Sequence, residues 1–191
     1  MTEPTKYELV GELQLAWLKA QGMRPWHRLL DVGCGQLRGG RHLIRYLNIG
    51  NYVGLEKDAG MIARALPVLA ELAYREPLLY ETDAFTPPAF AHGHYDYGLA
   101  FSVFTHLSPR LIKLCLQRIL PIVGRLYATF NRGTTVELGQ RHPVRQSEWR
   151  RCRYPFGYLA RLAETAGGTA EDLGGFGHPC GQQMGVFYRD H

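Results

Sequence analysis

The stretch LLDVGCGQLRGG, residues 29–40, decides the fold predicted for this chain. It opens as a compact apolar run around one acid, Asp31, and continues into two glycines, Gly33 and Gly35. In an open sheet of parallel strands, ligands bind at the carboxyl ends of the strands, where a glycine turn lets the backbone approach them closely. The stretch therefore predicts a buried strand that ends in a ligand-binding turn.

The same turn is poorly suited to a pyrophosphate. A dinucleotide fingerprint requires glycine at its sixth position, but Arg38 stands there and Gly39 follows one residue late. Asp31 would also repel a pyrophosphate, whereas a carboxylate at this place suits a ligand that carries an ammonium group. A nicotinamide-dependent dehydrogenase is therefore disfavoured.

Length and composition predict a single domain over residues 1–191, with an N-terminal helical cap at 1–24 and an α/β core at 25–191. The chain is 46% hydrophobic, which is enough for a sizeable core. No segment reaches the roughly 20 apolar residues of a membrane span, and the N-terminus is too polar for a signal peptide. The four cysteines are scattered without a CxxC pair, which is typical of reduced thiols. We expect a cytoplasmic protein.

Charge gives a weaker indication. The formal net charge is +5, and basic residues concentrate in RHPVRQSEWRRCR, residues 141–153. Such a run usually forms a solvated face, but it can also bind RNA or an acidic or phosphate-bearing small substrate. No RNA-binding module signature accompanies it, so these alternatives stay open.

Short β-rich runs alternate with helical patterns, which predicts βαβ units and a parallel sheet. Strands are predicted at residues 28–33, 52–56, 78–82, 95–102, 125–130, 170–176 and 183–189. Helices are predicted at residues 7–21, 40–47, 59–73, 109–119 and 157–166, with an irregular stretch at 131–147. The last two strands lack an intervening helix and must pair antiparallel. The expected fold is α/β: a Rossmann-like doubly wound sheet of seven strands, mostly parallel, with an antiparallel C-terminal strand pair.

Several motifs together resemble one enzyme family. DVGCG at residues 31–35 is similar to motif I of the class I S-adenosylmethionine-dependent methyltransferases, and LLDVGCGQLRGGRHLI is similar to a subgroup of their bacterial members. YVGLE resembles the family's second strand with its acidic end, ETDAF its third-strand loop, YDYGLAFSVFTHLSP its fourth strand and turn, and RLYATF its fifth strand. The resemblance covers most of the chain, from about Leu29 to Tyr188.

The resemblance implies S-adenosyl-L-methionine as cofactor and S-adenosyl-L-homocysteine as product. The backbone around Gly33 and Gly35 would face the methionine part, and Asp31 would help hold its ammonium group, directly or through water. Glu56, at a strand end, would accept hydrogen bonds from both ribose hydroxyls. The full set of implied cofactor-binding residues is Asp31, Gly33, Cys34, Gly35, Arg38, Glu56, Lys57, Met61, Asp83, Ala84, Phe85, Phe101 and Ser102.

The adenine end of the cofactor is assigned to two later segments. Asp83 would meet the adenine amino group, with Ala84 offering its backbone N–H and Phe85 an aromatic face. Lys57 and Met61 would flank the adenosine, although a helical methionine more often packs in the core.

The turn departs from the family pattern at two positions. Many members have glycine where this chain has Leu37, and the following LRGG must reshape the turn. Arg38 would then either pair with the cofactor's carboxylate or point into solvent. Both interpretations stay open.

For the acceptor side, His106 in SVFTHLSP is the candidate general base, since histidine titrates near neutral pH. A purely structural role for this residue is equally compatible with the sequence. The candidate substrate contacts are Trp17, Phe104, Phe130 and His178. The motif Asn/Asp-Pro-Pro-aromatic, the Pro-Cys nucleophile and spaced acidic metal ligands are missing, so amino-group and C5 base methylation and a metal are not implied.

By elimination, the favoured function is methyl transfer to a small-molecule acceptor: a metabolite, natural product or sugar. An RNA methyltransferase that uses residues 141–153 and a non-catalytic cofactor-binding domain remain as alternatives. The sequence predicts no membrane association and leaves the oligomeric state open.

Overall fold

The computed structural model describes residues 6–88, 91, 93–139 and 151–189. The helices are α1 (Lys6–Ala20), α2 (Gly40–Tyr46), α3 (Ala59–Glu71), α4 (Pro109–Ile119) and α5 (Phe156–Thr165), with a 3-10 turn at Ala73–Arg75. The strands are β1 (Leu29–Val32), β2 (Tyr52–Glu56), β3 (Leu78–Glu81), β4 (Tyr95–Ala100), β5 (Val123–Arg132), β6 (Arg153–Tyr154), β7 (Thr169–Gly175) and β8 (Gln183–Tyr188).

The strand order confirms the predicted α/β sheet. It runs β3-β2-β1-β4-β5-β8-β7, and the short β6 pairs with β5 outside this path. β1 pairs in parallel with β2 and β4, β2 pairs in parallel with β3, and β8 is antiparallel to both β5 and β7. The predicted antiparallel end is therefore present.

Two boundaries near β5 differ from the prediction. β5 extends to Arg132, into the stretch predicted to be irregular. β6 was not predicted at all, because two residues, Arg153 and Tyr154, are too few to show a period of two. Residues 140–147 of the predicted irregular stretch, and 141–150 of the basic segment, lie outside the described residues.

The chain divides into two compact units, Met1–Leu99 and Ala100–His191. The single domain with an N-terminal cap stays a prediction. In the first unit, all four residues of β1 are buried, and Asp31 pairs in register with Gly54 of β2. α3 begins at a side-chain cap: the Asp58 carboxylate accepts hydrogen bonds from the backbone N–H groups of Gly60 and Met61, at 2.8 and 3.3 Å.

In the second unit, α4 begins with Pro109 after Ser108, and it buries Ile112, Cys115, Leu116 and Ile119. This i, i+3, i+4, i+7 spacing is the apolar stripe of a helix that packs on a core, and it explains why the predicted bounds 109–119 are confirmed. β7 pairs antiparallel with β8, and a β-bulge between Asp172 and Gly174 shifts the register of this pairing. Across the described part of the chain, no helix has the length and apolar character needed to cross a membrane.

Candidate functional site

The turn after β1 is tied to the end of β2. The backbone N–H groups of Gly33 and Cys34 both donate to the Leu55 carbonyl, at 2.7 and 3.1 Å. Gly33 and Gly35 have φ of +73° and +57°, in the left-handed region that favours glycine. No atom in the described part of the chain lies within 4 Å of the position that a Cβ on Gly35 would take. The turn therefore presents bare backbone to open space.

Leu37 also has a positive φ, +62°, and its side chain is completely buried. A left-handed leucine costs roughly 1–2 kcal/mol of backbone strain, and burial of the side chain offsets a cost of that size. The buried Leu37 side chain therefore holds a backbone shape that glycine adopts more readily.

Glu56 links the turn to β2 through three backbone amides. Its Oε2 accepts from Gly35 N–H at 2.9 Å, and its Oε1 accepts from Lys57 and Asp58 N–H at 2.8 and 3.0 Å. Carboxylate oxygens have about four lone-pair sites between them. Glu56 is half-buried, so it can hold the turn and still accept hydrogen bonds from a ligand.

Asp31 is a buried carboxylate beneath the turn. It is 4% exposed, and the Tyr52 hydroxyl donates to its Oδ2 at 2.6 Å. Burial raises the pKa of Asp31 from 3.8 to about 7; the Tyr52 hydrogen bond opposes the rise, and the nearby Glu56 charge adds to it. A cationic ligand group beside Asp31 would restore its ionised form.

Cys34 lies under the turn as a neutral thiol. Burial, with the Asp31 and Glu56 charges as further causes, raises the pKa of Cys34 well above its usual range. A Cβ on Gly54 would lie 2.7 Å from its Sγ, so the glycine in β2 makes room for this side chain. The thiol therefore packs against β2 in its protonated form.

The loop after β3 is held beside β2. Thr82 N–H donates to the Glu56 carbonyl at 2.8 Å, and Ala84 N–H donates to the Thr82 hydroxyl at 3.2 Å. Asp83 is exposed, and Phe85 is half-buried with φ of +55°. Strained loop residues of this kind often belong to binding sites.

Two more of the implied adenosine contacts follow Glu56 in the chain. Lys57 is exposed and Met61, in the first turn of α3, is half-buried. Together with the loop after β3, they complete the set of predicted cofactor contacts in the first unit, apart from Arg38.

Sequence reasoning missed Gln14 in α1. Its side chain is 8% exposed and lies against Gly39: a Cβ on Gly39 would sit 2.6 Å from the Gln14 Cδ. The second glycine, Gly40, leaves room for the Tyr52 hydroxyl, 2.5 Å from the position of an added Cβ. These contacts give the physical reason for the LRGG departure. Arg38 itself is exposed.

In the second unit, the turn after β4 carries another strained residue. Ser102 has φ of +58°, and its backbone N–H donates to the Thr129 Oγ1 at 2.7 Å. Gln182 Oε1 accepts from the Thr129 and Ser102 hydroxyls at 2.6 and 3.1 Å. Thr105 Oγ1 closes the turn by donating to the Ser102 carbonyl at 2.9 Å. Neither Thr129 nor Gln182 was predicted, because residues far apart in sequence give no local signal.

Three rings pack together on the same turn. Phe101 lies 5.8 Å from Phe176 and 5.3 Å from His178, measured between ring centroids, and the Phe176–His178 distance is 5.7 Å. His178 Nδ1 accepts from the Cys180 N–H at 3.1 Å. His178 thus belongs to the packed hairpin loop between β7 and β8.

The other predicted acceptor contacts occupy different environments. Phe104 and Phe130 are fully buried, against Phe187 and Phe156 respectively, so the structure gives them a packing role rather than a surface that a substrate reaches. Trp17 in α1 is half-buried, and His106 is exposed in the turn before α4. Among the described residues, no group of three or more His, Cys, Asp or Glu side chains is placed to hold a metal ion.

β6, which the sequence did not reveal, supports the turn that carries His106. The backbone N–H of Cys152 donates to the Thr105 carbonyl at 2.7 Å, and the Tyr154 hydroxyl donates to the Leu107 carbonyl at 2.6 Å. These two bonds flank His106 and fix its backbone.

No protein-family model and no curated protein matches this sequence. Solved structures do match the fold. The chain is similar to magnesium protoporphyrin IX methyltransferase from Synechocystis PCC 6803 with bound SAM, at 17% identity over 97% of this chain and 80% of that one, with a TM-score of 0.70. A TehB-like SAM-dependent methyltransferase from Corynebacterium glutamicum matches at 21% identity over 94% and 88%, TM-score 0.63. Streptomyces venezuelae DesVI matches at 16% identity over 96% and 92%, TM-score 0.66.

These likenesses, with the strand order, define the chain as a Rossmann-like α/β protein. More narrowly, it has the fold of the class I S-adenosylmethionine-dependent methyltransferases, as the sequence motifs predicted.

Proposed function

We propose that this protein is an S-adenosylmethionine-dependent methyltransferase that acts on a small-molecule acceptor. The observation that carries the proposal is the pairing of a buried acid, Asp31, beneath a bare glycine turn with a second acid, Glu56, at the neighbouring strand end. Asp31, beneath the turn, would repel a dinucleotide phosphate, whereas the methyl donor carries an ammonium group that suits Asp31 and ribose hydroxyls that suit Glu56.

The residues present fit this cofactor chemically. Asp31 holds the ammonium group, Gly33 and Gly35 admit the amino-acid part without a side chain in the way, and Glu56 accepts the ribose hydroxyls. Asp83, Ala84 and Phe85 receive the adenine. When bound, S-adenosylmethionine supplies an electrophilic methyl group on a sulfonium.

The protein's own contribution to transfer is to position the acceptor and exclude water. For an acceptor with a hydroxyl or amine, His106 takes the released proton; its exposed side chain and anchored backbone support this role. His178, which packs against Phe101 and Phe176, supplies an aromatic contact for the acceptor, and Phe101 stays among the predicted cofactor contacts. Neither Phe104 nor Phe130 is retained for this purpose, because both are buried in the core.

The first test measures binding and transfer separately. Isothermal titration with S-adenosylhomocysteine is expected to show one site, and methyl-tritiated S-adenosylmethionine with a metabolite extract is expected to give a labelled small molecule. Label on RNA instead would assign the RNA alternative, and binding without any transfer would favour the non-catalytic one. Absence of binding would refute the proposal.

The role of His106 has its own test once an acceptor is identified. His106→Ala is expected to lower kcat by roughly 100-fold with unchanged cofactor binding, and His27→Ala, on a half-buried histidine in the loop before β1, is the control. Full turnover by His106→Ala would exclude the base.

A further inference from the structure

The side chain of Gln14 is a buried polar group that lies against Gly39, at the end of the glycine turn. It is 8% exposed, yet none of the described residues forms a hydrogen bond with its carboxamide. Neither the oxygen nor the nitrogen of the carboxamide is fully shielded from solvent. The carboxamide therefore borders a gap in the packing. A buried carboxamide without a partner is unfavourable, and it is tolerated where a ligand supplies the partner.

Close contacts at two glycines, Gly11 in α1 and Gly39 before α2, fix the position of Gln14. A Cβ on Gly11 would lie 2.7 Å from the His42 Cδ2 and 2.9 Å from the Arg38 carbonyl oxygen, so α1 lies directly against the Arg38 carbonyl and the His42 side chain. One helical turn later, the Gln14 carboxamide lies against Gly39: its Oε1 is the atom nearest to the position of an added Cβ, and its Nε2 is 2.7 Å from that position. The carboxamide is therefore held at the end of the turn that starts at Gly33.

The charges at this turn show which ligand group lacks a partner. Asp31 and Glu56 account for an ammonium group and for ribose hydroxyls, but both are anions and would repel the carboxylate of an amino-acid ligand. A carboxamide N–H is a neutral donor that can face a carboxylate without neutralising the Asp31 charge nearby. Gln14 is a buried side chain in this region with that chemistry, and its carboxamide lies against the turn at Gly39.

We infer that Gln14 binds the carboxylate of the amino-acid part of the cofactor, by donating a hydrogen bond from Nε2. The inference rests on the proposed function. It makes α1 part of the binding site and explains why glycine stands at residue 39, where any side chain would displace the carboxamide.

The test compares S-adenosylhomocysteine with its decarboxylated form, S-adenosyl-3-thiopropylamine, which keeps the ammonium group. Gln14→Leu is expected to weaken titrated binding of S-adenosylhomocysteine by about 10- to 100-fold, the range for a hydrogen bond to a charged group. Binding of the decarboxylated probe should change by less than about 2-fold. Gln117→Leu, the same change on the exposed surface of α4, should alter neither.

Thermal unfolding of the free protein separates binding from structure. Leucine removes an unpartnered carboxamide from a buried place, so the free Gln14→Leu protein should unfold at the same temperature as the parent or higher. Gly39→Ala, which adds a Cβ against the carboxamide, should reproduce the selective loss for S-adenosylhomocysteine.

Four outcomes would overturn the inference. Equal losses for both probes, or a large fall in unfolding temperature, would make Gln14 structural. Unchanged S-adenosylhomocysteine binding by Gln14→Leu would remove the contact but leave the proposed function intact. If the parent protein binds neither probe, the proposed function itself fails, and the inference fails with it.

Discussion

The turn after β1 and the turn after β4 both place non-glycine residues in left-handed backbone, Leu37 and Ser102, but they satisfy their polar groups differently. Around the first turn, Asp31 is buried with a raised pKa and Gln14 has no hydrogen bond within the described structure. Around the second, Ser102, Thr129 and Gln182 form a closed network.

The difference separates two kinds of turn. Where polar groups are buried without enough hydrogen-bond partners, their desolvation lowers the stability of the free protein. A bound ligand then supplies the hydrogen bonds or the opposite charge that these groups lack. Where the network is closed, the strained backbone is held by the protein itself. Substitutions that remove the uncompensated groups of the first turn, Asp31 and Gln14, should therefore stabilise the free protein, whereas breaking the closed network of the second turn should destabilise it.

The largest effect is expected at Glu56, because it both fastens the first turn and accepts ribose hydroxyls. Glu56→Ala should weaken S-adenosylhomocysteine binding by roughly 100-fold or more, since charge-assisted hydrogen bonds contribute about 1.5–3 kcal/mol each. Titration calorimetry measures this directly. Glu81→Ala is a matched control, because Glu81 is an exposed acid that pairs in register with Glu56 at the end of β3. Equal losses in the two variants would contradict the assignment.

Asp31 predicts a pH dependence of stability. Its pKa is raised in the folded protein from 3.8 to about 7, so the folded state binds this proton more tightly than the unfolded chain does. The resulting stabilisation is complete below about pH 4 and is lost as pH rises through about 7. Asp31→Asn should therefore make the free protein more stable than the parent at pH 8, by on the order of 2–4 kcal/mol, while weakening S-adenosylhomocysteine binding.

Thermal unfolding between pH 5 and pH 8 tests this prediction. The parent's unfolding temperature should fall relative to that of Asp31→Asn across the range. Tyr52→Phe removes the hydrogen bond that opposes the pKa rise, so the decline should extend to higher pH and become larger than in the parent. Parallel pH profiles for parent and Asp31→Asn would show that Asp31 is ionised throughout, and the contrast between the turns would lose its main support.

At the second turn the sign reverses. Thr129→Val keeps the shape of a fully buried side chain but leaves Ser102 N–H and Gln182 with fewer partners. It should destabilise the free protein by about 1–3 kcal/mol, or roughly 2–12 °C for a chain of this size. Thr135→Val, on an exposed threonine, should change the unfolding temperature little. A neutral Thr129→Val would mean that the network does not hold the turn.

The sequence predicted the parts of this arrangement that leave a local pattern. β1 and β2 are apolar runs, α4 shows helical spacing after a proline, and Asp31 stands out as an acid within a buried strand. Other parts had no local signal. Thr129 meets Gln182 across 53 residues of sequence, and β6 is too short for any periodicity.

Gln14 was missed for a further physical reason. A single glutamine in an amphipathic helix is indistinguishable from a solvated residue, and only the close approach of α1 to Gly39 buries it. The sequence shows that LRGG differs from the family pattern. The physical reason, the packing of Gly39 against α1 and of Gly40 against Tyr52, depends on tertiary contacts.

The smallest effect is expected at Arg38, which the sequence left as a second candidate for the cofactor's carboxylate. Its side chain is exposed, and an exposed ionic contact contributes about 0–1 kcal/mol. Arg38→Ala should therefore weaken S-adenosylhomocysteine binding by no more than about 5-fold, with the loss shrinking as salt is added. The loss in Gln14→Leu should be larger and nearly independent of salt, because a buried neutral donor is little screened. Titration at low and high salt could instead show that Arg38→Ala loses more affinity for S-adenosylhomocysteine than Gln14→Leu does. The exposed Arg38 charge would then bind the cofactor's carboxylate, and the Gln14 carboxamide would need another partner.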